Sequence, residues 1–171
     1  MKKIILLFGL TFILKNISAQ IEVAKFLGEN NDEYPVSFGA FLKFSKPVSD
    51  ASFITGEVSV NYFPEKETGG SLGIVVVPIK IGYRYTINGS GTGFYLEPQV
   101  GYNFFGAYST FEFDKKVKGF VWAGGLGYLF QPGNKIQFDI GLRYESILFN
   151  DTPVNFVALR LAHNFTFGRR E

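Results

Sequence analysis

Residues 135–145 read Lys135-Ile136-Gln137-Phe138-Asp139-Ile140-Gly141-Leu142-Arg143-Tyr144-Glu145. Ile136, Phe138, Ile140, Leu142 and Tyr144 alternate with Gln137, Asp139, Gly141 and Arg143, and Glu145 continues the polar set. Successive side chains of a strand leave on opposite sides, so a sustained period of two predicts a strand with one apolar and one polar face.

The same pattern spreads outward along the chain. In Phe94 to Phe104, the residues Phe94, Leu96, Pro98, Val100, Tyr102 and Phe104 share a face opposite Tyr95, Glu97, Gln99, Gly101 and Asn103. In Val157 to Phe167, Leu159, Leu161, Phe165 and Phe167 oppose Ala158, Arg160, Ala162, Asn164 and Thr166. Runs near Ser52 to Phe63, Gly73 to Ile87 and Gly119 to Phe130 follow suit, and Val36 to Ser45 is a weaker member. Gln20 to Gly28 is the least regular, because Lys25 falls on its apolar face. No stretch carries a sustained helical period, so the chain is expected to be all-β with eight strands.

Ser45 to Asp50, Asn88 to Gly93 and Gln131 to Asn134 are short connections rich in Gly, Pro, Asn and Ser, which read as tight turns. Gly28 to Pro35, Pro64 to Leu72, Gly106 to Lys118 and the shorter Phe149 to Thr152 alternate with them, mostly longer and more charged. This alternation fits an antiparallel up-and-down barrel with turns at one end and loops at the other.

Composition supports one domain of this kind. The chain has 171 residues, 18% of them aromatic, with 20 Phe, 9 Tyr and 20 Gly, a mixture suited to strands and close backbone approach. A net charge of +2 without a basic cluster argues against nucleic-acid binding. The absence of cysteine excludes disulfide frameworks, thiolate metal sites and thiol nucleophiles.

At the N-terminus, Met1-Lys2-Lys3 precedes an apolar run from Ile4 to Leu14 and then Ile17-Ser18-Ala19. This is the layout of a secretory signal peptide over residues 1–19, cut after Ala19, with the barrel domain in 20–171. The apolar run falls short of the roughly 20 residues that a spanning helix needs.

Period two does not say whether the apolar face meets lipid or an internal cavity, as it would in a soluble ligand-binding barrel. Three features choose lipid. Aromatic residues mark the ends of the stripes, at Tyr83 and Tyr85, Tyr102 and Phe104, Tyr128 and Phe130, and Phe165 and Phe167, as in membrane-interface girdles. The polar face is small, with Gly39, Gly82, Gly101, Ala123, Gly125, Gly127, Gly141, Ala158 and Ala162. Its charges cancel: Lys43, Lys80, Arg84, Arg143 and Arg160 stand against Glu22, Glu57, Glu97, Asp139 and Glu145. Facing lipid, each of those Lys or Arg residues would cost about 2–4 kcal/mol near the bilayer midplane. The reading is therefore an eight-stranded antiparallel up-and-down transmembrane β-barrel, with Glu57, Lys80, Arg84, Glu97, Asp139, Arg143, Glu145 and Arg160 as an ion-pair network in its lumen.

Candidate chemistry is thin. His163, the single histidine, lies on the apolar face near the end of the last run. The nearby hydroxyl of Thr166 belongs to the opposite face, so the two cannot form a nucleophile–base pair. The carboxylates share their face with arginines, which favours ion pairs over acid–base catalysis. The run Asn88-Gly89-Ser90-Gly91-Thr92-Gly93 lacks the lysine and helix of a phosphate-binding loop. No catalytic, cofactor or metal site is expected.

Val77-Pro78-Ile79-Lys80-Ile81-Gly82-Tyr83-Arg84-Tyr85, followed by Phe94-Tyr95-Leu96-Glu97-Pro98-Gln99-Val100-Gly101-Tyr102, resembles the outer-membrane protein beta-barrel domain family of Gram-negative bacteria, over Gln20 to Phe167. The resemblance implies a small barrel of the outer-membrane protein A type in the cell outer membrane. It also implies a last strand, carrying Leu161, Phe165 and Phe167, that the barrel assembly machinery recognises. Gly168-Arg169-Arg170-Glu171 follow that strand here, where the family typically ends on an aromatic.

The expected function is a structural or surface-interaction role without catalysis, in a monomer whose partners are outer-membrane lipid and the assembly machinery. The longest connection offers Tyr108, Phe111, Phe113, Asp114, Lys115 and Lys116 as a contact surface for an unidentified surface ligand. The alternatives are a narrow transport channel for small solutes and a periplasmic ligand-binding barrel with its apolar face inward.

Overall fold

A strand inside a bilayer must find a partner on each side for its backbone N–H and C=O groups, and a sheet closed on itself leaves no edge. The computed structural model describes residues 16–28, 36–66, 73–108, 118–133, 136–149 and 152–166. They form eight strands: β1 Asn16–Leu27, β2 Ser37–Pro47, β3 Ser52–Pro64, β4 Gly73–Thr86, β5 Gly93–Tyr108, β6 Gly119–Gly133, β7 Ile136–Phe149 and β8 Thr152–Thr166. Each pairs antiparallel with the next, and β8 closes on β1, giving a barrel in strict chain order. No helix among the described residues is long and apolar enough to cross a membrane.

The strand bounds differ from the sequence reading where the ladders outlast the alternation. β5 continues to Tyr108, since Ala107 and Tyr108 still pair with Val75 and Ile74, which takes Gly106 to Tyr108 out of the expected loop. β6 runs to Gly133 through an irregularity between Phe130 and Gly133, which takes Gln131 to Gly133 out of the expected turn. β1 begins at Asn16, within the segment read as signal peptide; a cut after Ala19 leaves Gln20 to Leu27 of this strand.

Strands of 11 to 16 residues exceed the roughly 9–11 that a tilted strand needs to span a bilayer. The wall therefore rises beyond the apolar zone. The turn end of the barrel is held together by two connections. Ala51 O accepts the backbone N–H of Thr86 at 2.8 Å and its hydroxyl at 2.9 Å. In the β4–β5 turn Gly89, Gly91 and Gly93 take φ of 69°, 69° and 86°, a region open mainly to glycine. Pro78 lacks an N–H, and the β4–β5 register shifts between Val77 and Pro78.

The apolar set faces outward. Leu96, Val100, Ile140, Leu142, Leu159 and Leu161 are all exposed, as are Tyr83, Tyr85, Tyr102, Phe104, Tyr128 and Phe130. The side chains of Phe165 and Phe167 lie outside the described set. An apolar wall this continuous is far larger than soluble monomers expose. It overturns the alternative of a soluble cavity barrel, which needs these residues inside.

Candidate functional site

The lumen collects the polar face of every strand. Glu57 and Lys80 stand opposite each other on β3 and β4, and Gly125 on β6 stands opposite both Glu97 on β5 and Arg143 on β7. All eight residues singled out from the sequence, together with Glu22 and Lys43, are buried there. Isolated, such charges would be prohibitive to bury; here each has partners.

Toward the turn end, Glu97 accepts from Lys43, from Arg84 Nη2 at 2.7 Å and from the Thr55 hydroxyl at 2.8 Å. Arg84 also donates to Asp139 at 2.9 Å, and the Tyr95 hydroxyl donates to Asp139 at 2.6 Å. The Arg84 guanidinium lies 3.9 Å above the Tyr95 ring centre, a cation–π stack. The Tyr95 ring fits because its neighbours are glycines: a Cβ on Gly127 or Gly141 would stand 2.5 or 2.7 Å from its hydroxyl.

Toward the loop end, Glu57 is the hub. It pairs with Lys80 at 3.0 Å, Arg160 at 2.7 Å and Arg143. Arg143 reaches Glu22 at 2.8 Å and Glu145 at 3.1 Å, Lys80 also pairs with Glu145, and Arg160 lies 3.4 Å from Glu22. Arg160 stacks 3.6 Å over the Phe41 ring. Gln99 links the two clusters, its amide donating to Glu57 at 3.3 Å and to Glu97 at 3.2 Å.

Most of these pairs cross the barrel. Lys80–Glu57, Arg84–Glu97 and Arg160–Glu22 join neighbouring strands and Arg143–Glu145 lies within β7; the pairs Lys43–Glu97, Lys80–Glu145, Arg84–Asp139, Arg143–Glu22, Arg143–Glu57 and Arg160–Glu57 join strands that are not neighbours. The network therefore completes itself only when the barrel closes.

Above it the lumen turns apolar, which the reading of a purely polar interior missed. Phe26, Phe63, Val76, Val121, Ile147 and Phe156 pack as a buried cluster with Ala24 and Ala158. The Phe26 and Phe63 rings stand 4.3 Å apart, and Phe156 meets Phe63 edge-on at 5.4 Å. Ala24, Phe26, Phe63, Val76, Ile147, Phe156 and Ala158 have the parity of the lumen charges on their own strands, and Val121 has that of the buried Ala123 on β6, so extending the count to the strand ends would have found them.

Of the expected contact loop, Tyr108 ends β5, its backbone opposite Ile74; Phe111, Phe113, Asp114, Lys115 and Lys116 lie outside the described residues. His163 faces outward at the turn end, 5.2 Å from the Phe138 ring. No group of His, Asp and Glu arranged to hold a metal occurs among the described residues.

A polar, ion-paired lumen inside a continuous apolar wall inverts the layering of a soluble protein and identifies a wall built for lipid. The chain has the fold of the eight-stranded outer-membrane barrels. Neisserial surface protein A superposes with a TM-score of 0.67 at 14% identity, over 89% of this chain and 96% of that one. Ail of Yersinia pestis, solved in a phospholipid bilayer nanodisc, gives 0.56 at 18% identity over 88% and 99%. OprG of Pseudomonas aeruginosa gives 0.55 at 11% identity over 91% and 97%. No family model and no curated protein sequence matches the chain. At these identities the likeness is one of fold: an outer-membrane barrel of the same strand number and order.

Proposed function

We propose that this protein is a non-catalytic barrel of the bacterial outer membrane, closed to solutes, with a structural or surface-interaction role. The observation that supports it is the filled lumen. Five cations and five anions neutralise one another with side chains at most 8% exposed, and an aromatic plug covers their loop-end side. An open pore would instead hold solvated charge or a water-filled path.

Purified protein in planar bilayers should give no stable unitary current steps. Reproducible ohmic steps would favour the second reading, a narrow channel for small solutes. With a signal peptide removed, the N-terminus is periplasmic and the loops at 28–36, 65–72, 109–118 and 150–151 face outside. Protease added to intact cells should then cut near Lys115 to Lys118 and spare the turns at 48–51 and 87–92. Cutting at those turns instead would mean that the barrel is inverted.

A further inference from the structure

Lys25 breaks the apolar alternation of β1, and the fold shows where that break sits. Its side chain is exposed on the outer wall between Ile21 and Val23 below and Leu27 above. The β1–β2 ladder stops at Ala24 opposite Ser37. The β1–β8 ladder ends at Leu27 opposite Asn155, and β8 begins higher still, at Thr152. Lys25 thus stands near the loop end of β1, one residue past its last pair with β2 and opposite the exposed Val157 on β8.

The sign of the charge carries the argument further. Among the described strands no Asp or Glu faces outward; all five strand acids point into the lumen, where five cations neutralise them. The outward-facing charges on the strands are Lys25 at the loop end and Lys46 at the turn end, and Lys118 is exposed just ahead of β6. On the described strands the outward-facing charges are therefore cations alone. A lysine in this position lays its aliphatic stem on the apolar wall and lifts its ammonium to the headgroup level. The complementary group there is an anionic headgroup.

We infer that Lys25 binds the phosphate of an anionic lipid in the leaflet at the loop end of the barrel. The inference rests on the wall facing lipid, and the test separates the two. The full chain is reconstituted as the Trp122→Phe, Val157→Trp variant, which places the single indole on the strand position opposite Lys25. Its fluorescence is then read in vesicles containing phosphatidylglycerol or phosphatidylcholine brominated on the acyl chains. Phosphatidylglycerol should compete for this position on the order of fivefold better than phosphatidylcholine, as expected for one cation at a charged surface.

Adding Lys25→Gln should bring that ratio to about one, and inorganic phosphate in the buffer should leave the preference in place. Equal quenching by the two lipids, a preference that survives Lys25→Gln, or one abolished by inorganic phosphate would overturn the lipid site. Absence of quenching by either lipid would overturn the lipid-facing wall itself.

Discussion

At the scale of single residues, the lumen is held by charges that cannot be removed one at a time. Glu97 serves Lys43, Arg84, Thr55 and Gln99 together, and Arg143 serves Glu22, Glu57 and Glu145. Deleting either leaves buried partners uncompensated, a situation that typically costs about 3–5 kcal/mol. Glu97→Ala and Arg143→Ala should each lower the denaturant midpoint of the barrel in vesicles by an amount of that order, while the exposed Lys66→Ala should leave it within about 0.5 kcal/mol. A midpoint unmoved by both lumen changes would mean that the network contributes nothing to stability. The charge balance behind these contacts was readable from the sequence. The identity of each partner was not, because pairs such as Lys43–Glu97 and Arg143–Glu57 form across the lumen between strands that are not neighbours, and alternation reports only which face a residue occupies.

At the scale of the elements, eight strands and their two faces were legible wherever a strand alternates strictly, as in β5 and β7. The ends were harder to read. Backbone pairing carries Ala107 and Tyr108 into β5 and Gln131 to Gly133 into β6 with little help from side-chain pattern, since the ladder needs only N–H and C=O groups. The apolar plug escaped for a related reason: Phe26, Phe63 and Phe156 sit on the lumen face, where the middle of each strand is polar. The outward rows make their own prediction. Leu126 is central on β6 and half exposed to the bilayer side, so Leu126→Arg should destabilise the barrel by about 2–4 kcal/mol, measured as the loss of folded fraction in vesicles. A neutral result would place that row outside the hydrocarbon.

At the scale of the whole molecule, the arrangement is a layered plug inside a lipid-facing cylinder: an ion-paired centre, an aromatic seal toward the loops, and girdles of Tyr and Phe near both ends. On the proposed function, such a body is a rigid stand for surface loops rather than a conduit. The most direct test of this layering uses the single tryptophan of the chain, which the fold puts on the outer wall at Trp122, 46% exposed, its ring centre 5.2 Å from that of the tilted Tyr144 ring. In vesicles of lipid brominated along the acyl chains, Trp122 fluorescence of the otherwise unmodified protein should be strongly quenched, while aqueous iodide should have little effect. Quenching by iodide with no response to the brominated lipid would contradict an outward apolar wall, and with it the membrane-spanning barrel.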